Sequence, residues 1–152
     1  MNTPSLVTVY FAEGQSGLIP ESCFENSGLQ YLDLSMTAFY GCWGRAFANC
    51  TNMHTIVFNE DFYDIEVETF LNCSALDGII HVPYCWLYGN VFSGCTNIDE
   101  IHFSGGLDWM DAPGNFQGWT SEQKIFLYGW TADDIDGDGG LGENCEAEII
   151  EM

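Results

Sequence analysis

The stretch Phe47-Ala-Asn-Cys-Thr-Asn-Met-His-Thr-Ile56 decides the fold, because it recurs with identical spacing as Phe92-Ser-Gly-Cys-Thr-Asn-Ile-Asp-Glu-Ile101. A third copy opens at Phe70 with one inserted residue, while Phe24 and Phe116 open a shortened first copy and an atypical last one. The five phenylalanines are separated by 23, 23, 22 and 24 residues. A period of this length predicts a solenoid, in which each coil buries its apolar face only against its neighbours.

Each copy ends in a short segment of alternating apolar residues, which predicts a strand. Stacked coils would align these segments into a parallel sheet, with the first and third residues of each inward and the middle one outward. The Phe-x-x-Cys stretch is too short for a regular helix and predicts a helical turn or a short 3-10 piece. The five predicted strands are Leu32–Leu34, Ile56–Phe58, Ile80–Val82, Ile101–Phe103 and Ile125–Leu127.

Three of the seven cysteines, Cys50, Cys73 and Cys95, share one position in the repeat, three residues after the phenylalanine. In a solenoid that position forms an inward ladder, where cysteine packs as a small hydrophobic residue. Ser27 and Trp119 fill the same slot in two other copies, which argues against a covalent role. The pairing of the remaining cysteines stays open, and these are Cys23, Cys42, Cys85 and Cys145.

The repeat resembles the BspA-type leucine-rich repeat, whose units read roughly Ile-x-x-x-x-Phe-x-x-Cys-x-x-Leu-x-x-Ile-x-Ile-Pro. The resemblance implies a leucine-rich-repeat solenoid of about five coils with β caps at both ends. It also implies a surface or adhesion protein without catalytic machinery, since the family's bacterial, protist and phage-encoded members are chiefly of that kind. The segments that carry the resemblance are Ile19–Phe24, Phe47–Phe58, Ile65–Pro83 and Phe92–Phe103, followed by a terminal unit Phe116–Leu127 and a closing strand Cys145–Ile150.

The repeat divides the chain into three parts. Residues 1–17 are expected to form an N-terminal cap strand, at Leu6–Phe11, and a turn. Residues 18–128 hold the coils. Residues 129–152 are expected to form an acidic, glycine-rich loop and a C-terminal cap strand.

Charge restricts the partners, because 23 acidic residues stand against two basic ones and leave a net charge of −21. Such a surface repels nucleic acid and anionic membranes and favours cationic partners, bound cations or simple solubility. Neither a Gly-x-Ser-x-Gly motif nor a phosphate-binding glycine loop occurs, so we expect no enzyme. There is no apolar run long enough to cross a membrane, and no signal peptide is expected at the start of the chain.

The outward residues of the predicted strands are the candidate binding surface, since solenoids use such extended sheet faces for contacts. Apolar and aromatic side chains among them indicate a contact surface, although cross-strand packing alone would also account for them. His81 and His102 fall in one outward column and suggest either a two-histidine zinc site or two exposed histidines. The predicted surface comprises Tyr31, Asp33, Thr55, Val57, Ile79, His81, Glu100, His102, Lys124 and Phe126.

Asp134, Asp136 and Asp138 stand at positions 1, 3 and 5 of a calcium-loop pattern, with Gly139 at position 6. Alternating oxygen ligands on a tight glycine turn suit a hard cation. Cys145 replaces the bidentate glutamate expected at position 12. The alternatives are a calcium site and an acidic loop before the last strand.

Together these features predict a non-enzymatic binding or attachment module on a bacterial or phage surface, with a host protein or glycan as partner. One alternative is a structural phage virion protein, in the head or the tail, that assembles with itself or with a particle. A second alternative is an acidic calcium-binding protein. We expect no cofactor, and Ca²⁺ is a candidate only under this second alternative.

Overall fold

The computed structural model describes residues 6–105, 107–109, 114–136, 141–142 and 144–152. These residues form a parallel-strand solenoid of about five coils with almost no helix, as the repeat predicts. The elements in chain order are β1 (Ser16–Ile19), β2 (Tyr31–Asp33), β3 (Ala38–Cys42), β4 (Thr55–Val57), β5 (Asp64–Ile65), β6 (Gly78–Val82), β7 (Cys85–Leu87), β8 (Ile98–Phe103), β9 (Leu107–Trp109), β10 (Lys124–Leu127), α1 (Ala132–Asp136) and β11 (Glu148–Glu151).

The first sheet is built from the predicted alternating segments. It has a two-stranded part, β2 and β4, and a four-stranded part in the order β11, β10, β8 and β6. All of its pairs are parallel. The two parts separate at the third coil, where the inserted residue falls, and there Gly78 takes a φ of 69° and the register shifts between Gly78 and Ile79.

A second parallel sheet, in the order β1, β3, β5, β7 and β9, lies on another side of the same core. The alternation pattern did not predict these strands. They are short, and several of their residues are glycine, aspartate or tyrosine, so each coil shows only one clear apolar position, five residues before the phenylalanine. That position holds Ile19, Cys42, Ile65 and Leu87, all buried.

The Phe-x-x-Cys edge of each coil is a run of turns closed by bonds between residues three apart, such as the Cys50 N–H to the Phe47 carbonyl. Arg45 and Asn49, two residues before and after Phe47, have φ of 59° and 58°, and the other coils repeat this pattern. These left-handed residues interrupt each turn, because a helix cannot continue through positive φ. The backbone also bonds from coil to coil here, for example from the Phe47 N–H to the Thr69 carbonyl.

The phenylalanines form one continuous stack through the core. Phe47 and Phe70 have ring centroids 5.4 Å apart with planes within 4°, and Phe70 and Phe92 are 5.5 Å apart and within 10°. Phe24 and Phe116 extend the stack at its two ends. Each of the three inner rings therefore stacks on the rings of the coils above and below, as the period predicts.

The cysteine ladder lies inward as expected, but its thiols also donate hydrogen bonds. The Sγ–H groups of Cys50, Cys73 and Cys95 donate to the carbonyl oxygens of Phe24, Phe47 and Phe70 at 3.1–3.2 Å. In the last coil the Trp119 Nε1–H donates to the Phe92 carbonyl at 3.1 Å. Cysteine and tryptophan therefore share this slot because each places a donor on the carbonyl of the coil before it.

The two ends of the stack differ. Instead of a cap strand over Leu6–Phe11, the structure has a single parallel bridge between Thr8 and Tyr31. At the other end β11 pairs with β10 and closes the first sheet. No helix in the described part of the chain is long and apolar enough to span a bilayer.

Candidate functional site

The ten residues of the predicted binding surface occupy two outward columns on the first sheet. We call this surface the histidine face. Pairing aligns Tyr31 with Thr55 and Asp33 with Val57 on β2 and β4. On β6, β8 and β10 it aligns Ile79 with Glu100 and Lys124, and His81 with His102 and Phe126.

Several apolar side chains on this face are open to solvent. Ile79 is 57% exposed, Tyr31 45% and Val57 37%, although each stands in a sheet whose inward residues are buried. A contact that covered them would gain about 25 cal/mol for each Å² of apolar surface removed from water. These side chains therefore favour a partner that covers the sheet.

Three rings contact one another along the second column, and two of them are stacked. The centroids of His81 and His102 lie 4.9 Å apart, and His102 stacks on Phe126 at 4.2 Å with planes within 10°. The Nε2 atom of His102 lies 3.0 Å from Glu100 Oε2, and its Nδ1 atom lies 3.1 Å from Tyr128 Oη. Because protein groups engage both ring nitrogens, the arrangement does not favour the two-histidine zinc site.

At the N-terminal end of the face, Tyr31 and Asp33 border a recess of about 180 Å³. The Tyr31 hydroxyl donates to Asp33 Oδ2 at 3.2 Å, and the Ser35 N–H donates to Asp33 Oδ1 at 2.9 Å. Hydrogen bonds from Ser35 hold the pKa of Asp33 below its usual value, while the Asp33 charge raises the pKa of Tyr31. The recess thus has a fixed carboxylate at its rim beside an exposed ring.

Of the proposed calcium ligands, Asp134 has other partners. Its Oδ2 atom accepts hydrogen bonds from the Thr131 N–H and hydroxyl, both at 2.8 Å, which lowers the pKa of this carboxyl group. Asp136 ends α1, and Asp138 lies outside the described residues. Within the described ranges no group of three or more His, Cys, Asp or Glu side chains could hold a metal ion. Calcium binding by this loop stays a prediction.

The sequence reasoning missed two features of the surface. Tyr128, which orients His102, follows the last predicted strand and so fell outside the outward columns. The outward residues of the second sheet were also missed as a surface, and the buried residue five before each phenylalanine was their only signal. They include Trp43 and Tyr63, which are 51% and 42% exposed.

A family model described as the BspA-type leucine-rich repeat region matches residues 17–112 with six copies. The match covers well over half of the 152 residues, and it ends before the atypical unit that opens at Phe116. No curated protein and no solved structure matches the chain.

Proposed function

The chain belongs to the BspA-type leucine-rich repeat family, and we propose that it is a non-enzymatic binding or attachment module whose contact surface is the histidine face. Repeats of this family generally mediate protein binding, and the proteins that carry them are typically surface-associated. The observation that carries the proposal is the pair of outward columns, held in register on hydrogen-bonded strands and partly apolar.

Rigidity supports this role. The backbone of β6, β8, β10 and β11 is paired in one ladder, and the coils that carry β6, β8 and β10 are also joined through the stacked rings of Phe70, Phe92 and Phe116. A backbone held in this way loses little conformational freedom on binding, which leaves more of the contact energy as affinity.

The chemistry of the face suits a protein or a glycan. His102 lies between the rings of His81 and Phe126, with its orientation set by Glu100 and Tyr128, and it supports the exposed ring of His81, which can contact aliphatic or sugar surfaces. Ile79 and Val57 add apolar area beside it. We place the module on the surface of a bacterium or of a phage particle, where it would attach to a host molecule.

A glycan array and a pull-down from host surface extract test the proposal with the wild type and two matched variants. Ile79→Ser/His102→Ala alters the histidine face, and Tyr40→Ser/Tyr63→Ser removes two exposed, stacked rings from the second sheet. We expect the first variant to lose the captured partner and the second to keep it. Loss in both variants, with both still folded by circular dichroism, would contradict the assignment of the face.

The structural virion alternative predicts a different outcome in the same samples. Native mass spectrometry would then show closed oligomers or docking on a particle, with no glycan or host protein captured by the wild type. The calcium-binding alternative predicts heat on titration with Ca²⁺ and a melting temperature that falls when a chelator is added.

A further inference from the structure

The second sheet presents an outward surface that differs in chemistry from the histidine face. Pairing places Asp64 beside Trp86 on neighbouring strands. The bonds from the N–H groups of Trp43, Glu66 and Tyr88 to the Ile19, Cys42 and Ile65 carbonyls place those three residues in one column. We call this surface the aromatic–acidic face, and it comprises Glu21, Trp43, Asp64, Glu66, Trp86 and Tyr88.

An open recess of about 280 Å³ lies on this face, lined by Glu21, Trp43, Gly44, Glu66 and Val67. Trp43 is 51% exposed and Val67 is 43% exposed. The recess therefore combines an accessible indole ring with two carboxylates.

The carboxylates of this face are crowded. Burial raises the pKa of Asp64, and burial together with the charges of Asp64 and Glu21 raises that of Glu66. The Oδ1 atom of Asp64 is shielded from water and has no hydrogen-bond partner among the described residues. Each carboxylate would be stabilised by a positive charge brought close to it.

The chain itself supplies little of that charge. Its sole arginine, Arg45, lies near this edge, but its guanidinium group pairs with Glu25 and Glu68 on the neighbouring coils. The sole lysine, Lys124, belongs to the first sheet. Neither basic side chain pairs with Glu21, Asp64 or Glu66, so a cation from outside the chain would stabilise these carboxylates.

We propose that the aromatic–acidic face binds a cationic segment of a partner protein, an extended stretch rich in arginine or lysine. The carboxylates of Glu21 and Glu66 would pair with the cations, and the charge of Asp64, whose Oδ1 atom is shielded, would add to the attraction. Trp43 and Trp86 would offer ring faces for cation–π contacts, for which tryptophan is the best aromatic partner. Neighbouring strands lie about 4.8 Å apart, so an extended chain crossing them would meet acidic and aromatic groups in turn.

Charge complementarity selects this occupant over a neutral sugar. A glycan would stack on the indole rings equally well, but it would cover crowded carboxylates without neutralising them, and burying unpaired charge is unfavourable. A cationic segment removes that cost. Because the two faces lie on different sheets around one core, this contact does not compete with a ligand on the histidine face.

The experiment uses the full chain and a short synthetic peptide of alternating arginine and serine, measured by isothermal titration calorimetry at moderate salt. Glu21→Gln/Glu66→Gln removes two charges from the face, and Asp99→Asn/Glu122→Gln removes two exposed charges elsewhere. We expect the first pair to weaken binding about threefold to tenfold, as two surface ion pairs allow. The second pair should weaken it less than about twofold.

A second arm isolates the aromatic contribution. Trp43→Ala is expected to weaken peptide binding about twofold to fivefold, the usual effect of one exposed cation–π contact. Tyr10→Ala, which removes a ring that is 91% exposed and lies away from the aromatic–acidic face, should leave affinity unchanged.

Equal weakening by the two charge-removing pairs would overturn the proposal, because the peptide would then be held only by the overall charge of −21. Tighter binding of an uncharged serine–glycine peptide or of neutral oligosaccharides would overturn it as well. Neither result bears on the histidine face, whose ligand is tested with its own variants.

Discussion

The two sheets share the coils and the core, yet they present opposite surfaces. The histidine face places apolar and imidazole groups in two regular columns over strands of three to six residues. The aromatic–acidic face alternates rings with carboxylates over strands as short as the two residues of β5. Inward, both sheets contribute mainly aliphatic side chains to one cluster, and the second sheet adds the thiols of Cys42 and Cys85. The comparison shows that stacking constrains the inside of the coil and leaves the outside of each sheet to vary independently.

The largest expected effect comes from a substitution in the core that disrupts both faces at once. Phe70→Ala deletes the central ring of the stack, which contacts Phe47 and Phe92 at 5.4 and 5.5 Å. The loss of a buried aromatic ring and the cavity left behind should cost about 3–5 kcal/mol. Urea unfolding followed by circular dichroism measures the free energy of unfolding.

Phe24→Ala is the matched control, because Phe24 is half-buried and has a stacked phenylalanine on only one side. It should cost clearly less than Phe70→Ala. Equal costs at the two positions would mean that the stack does not couple the coils.

A substitution with a smaller expected effect on stability should disturb the second sheet alone. A Cβ atom at Gly41 would lie 2.4 Å from the Asp64 carbonyl oxygen on the neighbouring strand, so Gly41→Ala forces β3 and β5 apart. Overpacking of this kind costs about 1–3 kcal/mol. Hydrogen exchange should show faster exchange in the second sheet, while the histidine face keeps its ligand.

Gly44→Ala provides the comparison within the same coil. A Cβ atom there would lie 3.2 Å from a Val67 methyl carbon and 3.3 Å from the Val67 carbonyl oxygen, so the neighbouring atoms need to shift by much less than at Gly41. Its cost should be below that of Gly41→Ala. If Gly41→Ala raised the hydrogen-exchange rates equally in both sheets, the two sheets would not open independently of each other.

The contrast between the sheets also explains what the sequence could predict. The first sheet follows from period-2 alternation beside the phenylalanines, and the residues of the histidine face follow from that register. Gly41 and Asp64 show no such alternation. They lie in short strands of the second sheet, which are held by stacking on their neighbours and do not need an apolar pattern of their own. Asn49 and Asn72 could have been predicted as turn residues, since asparagine tolerates positive φ. Arg45 and Glu68 could not, because local preference disfavours them there.

Removing a hydrogen-bond donor from the cysteine ladder should have an intermediate effect on the free energy of unfolding. Burial, with the neighbouring Cys95 thiol, raises the pKa of Cys73 well above its usual value, so this thiol stays protonated and donates to Phe47. Cys73→Ala removes the donor and leaves a small void, at a cost of about 1–2 kcal/mol. Cys73→Ser keeps a donor and should cost less than alanine.

Cys85 is the control on the second sheet. It is equally buried, but no acceptor for its thiol is found among the described residues, so there serine should cost more than alanine. The same ranking at both positions in denaturant melts would show that the ladder slot selects cysteine for its size alone.

The smallest expected effect is on the melting temperature, when one carboxylate from each face is replaced and the pH is varied. The folded-state pKa of Asp64 is raised by burial above its ordinary value of 3.8, so its ionised form opposes folding and stability is lost as pH rises through the folded pKa. Asp64→Asn should therefore raise the melting temperature at pH 7, by less than about 4 °C. The gain should vanish in acid below the ordinary pKa, where the wild-type carboxyl group is protonated as well.

Asp33 on the histidine face should respond with the opposite sign. Its pKa is lowered by Ser35, so its contribution to stability is present above its ordinary value and is lost as pH falls through the folded pKa. Asp33→Asn should lower the melting temperature at pH 7 and have no effect in acid. Melting curves of both variants between pH 3 and pH 7 decide the question. Two shifts of the same sign would mean that relief of the overall charge of −21, and not the local surroundings of each carboxylate, sets the response.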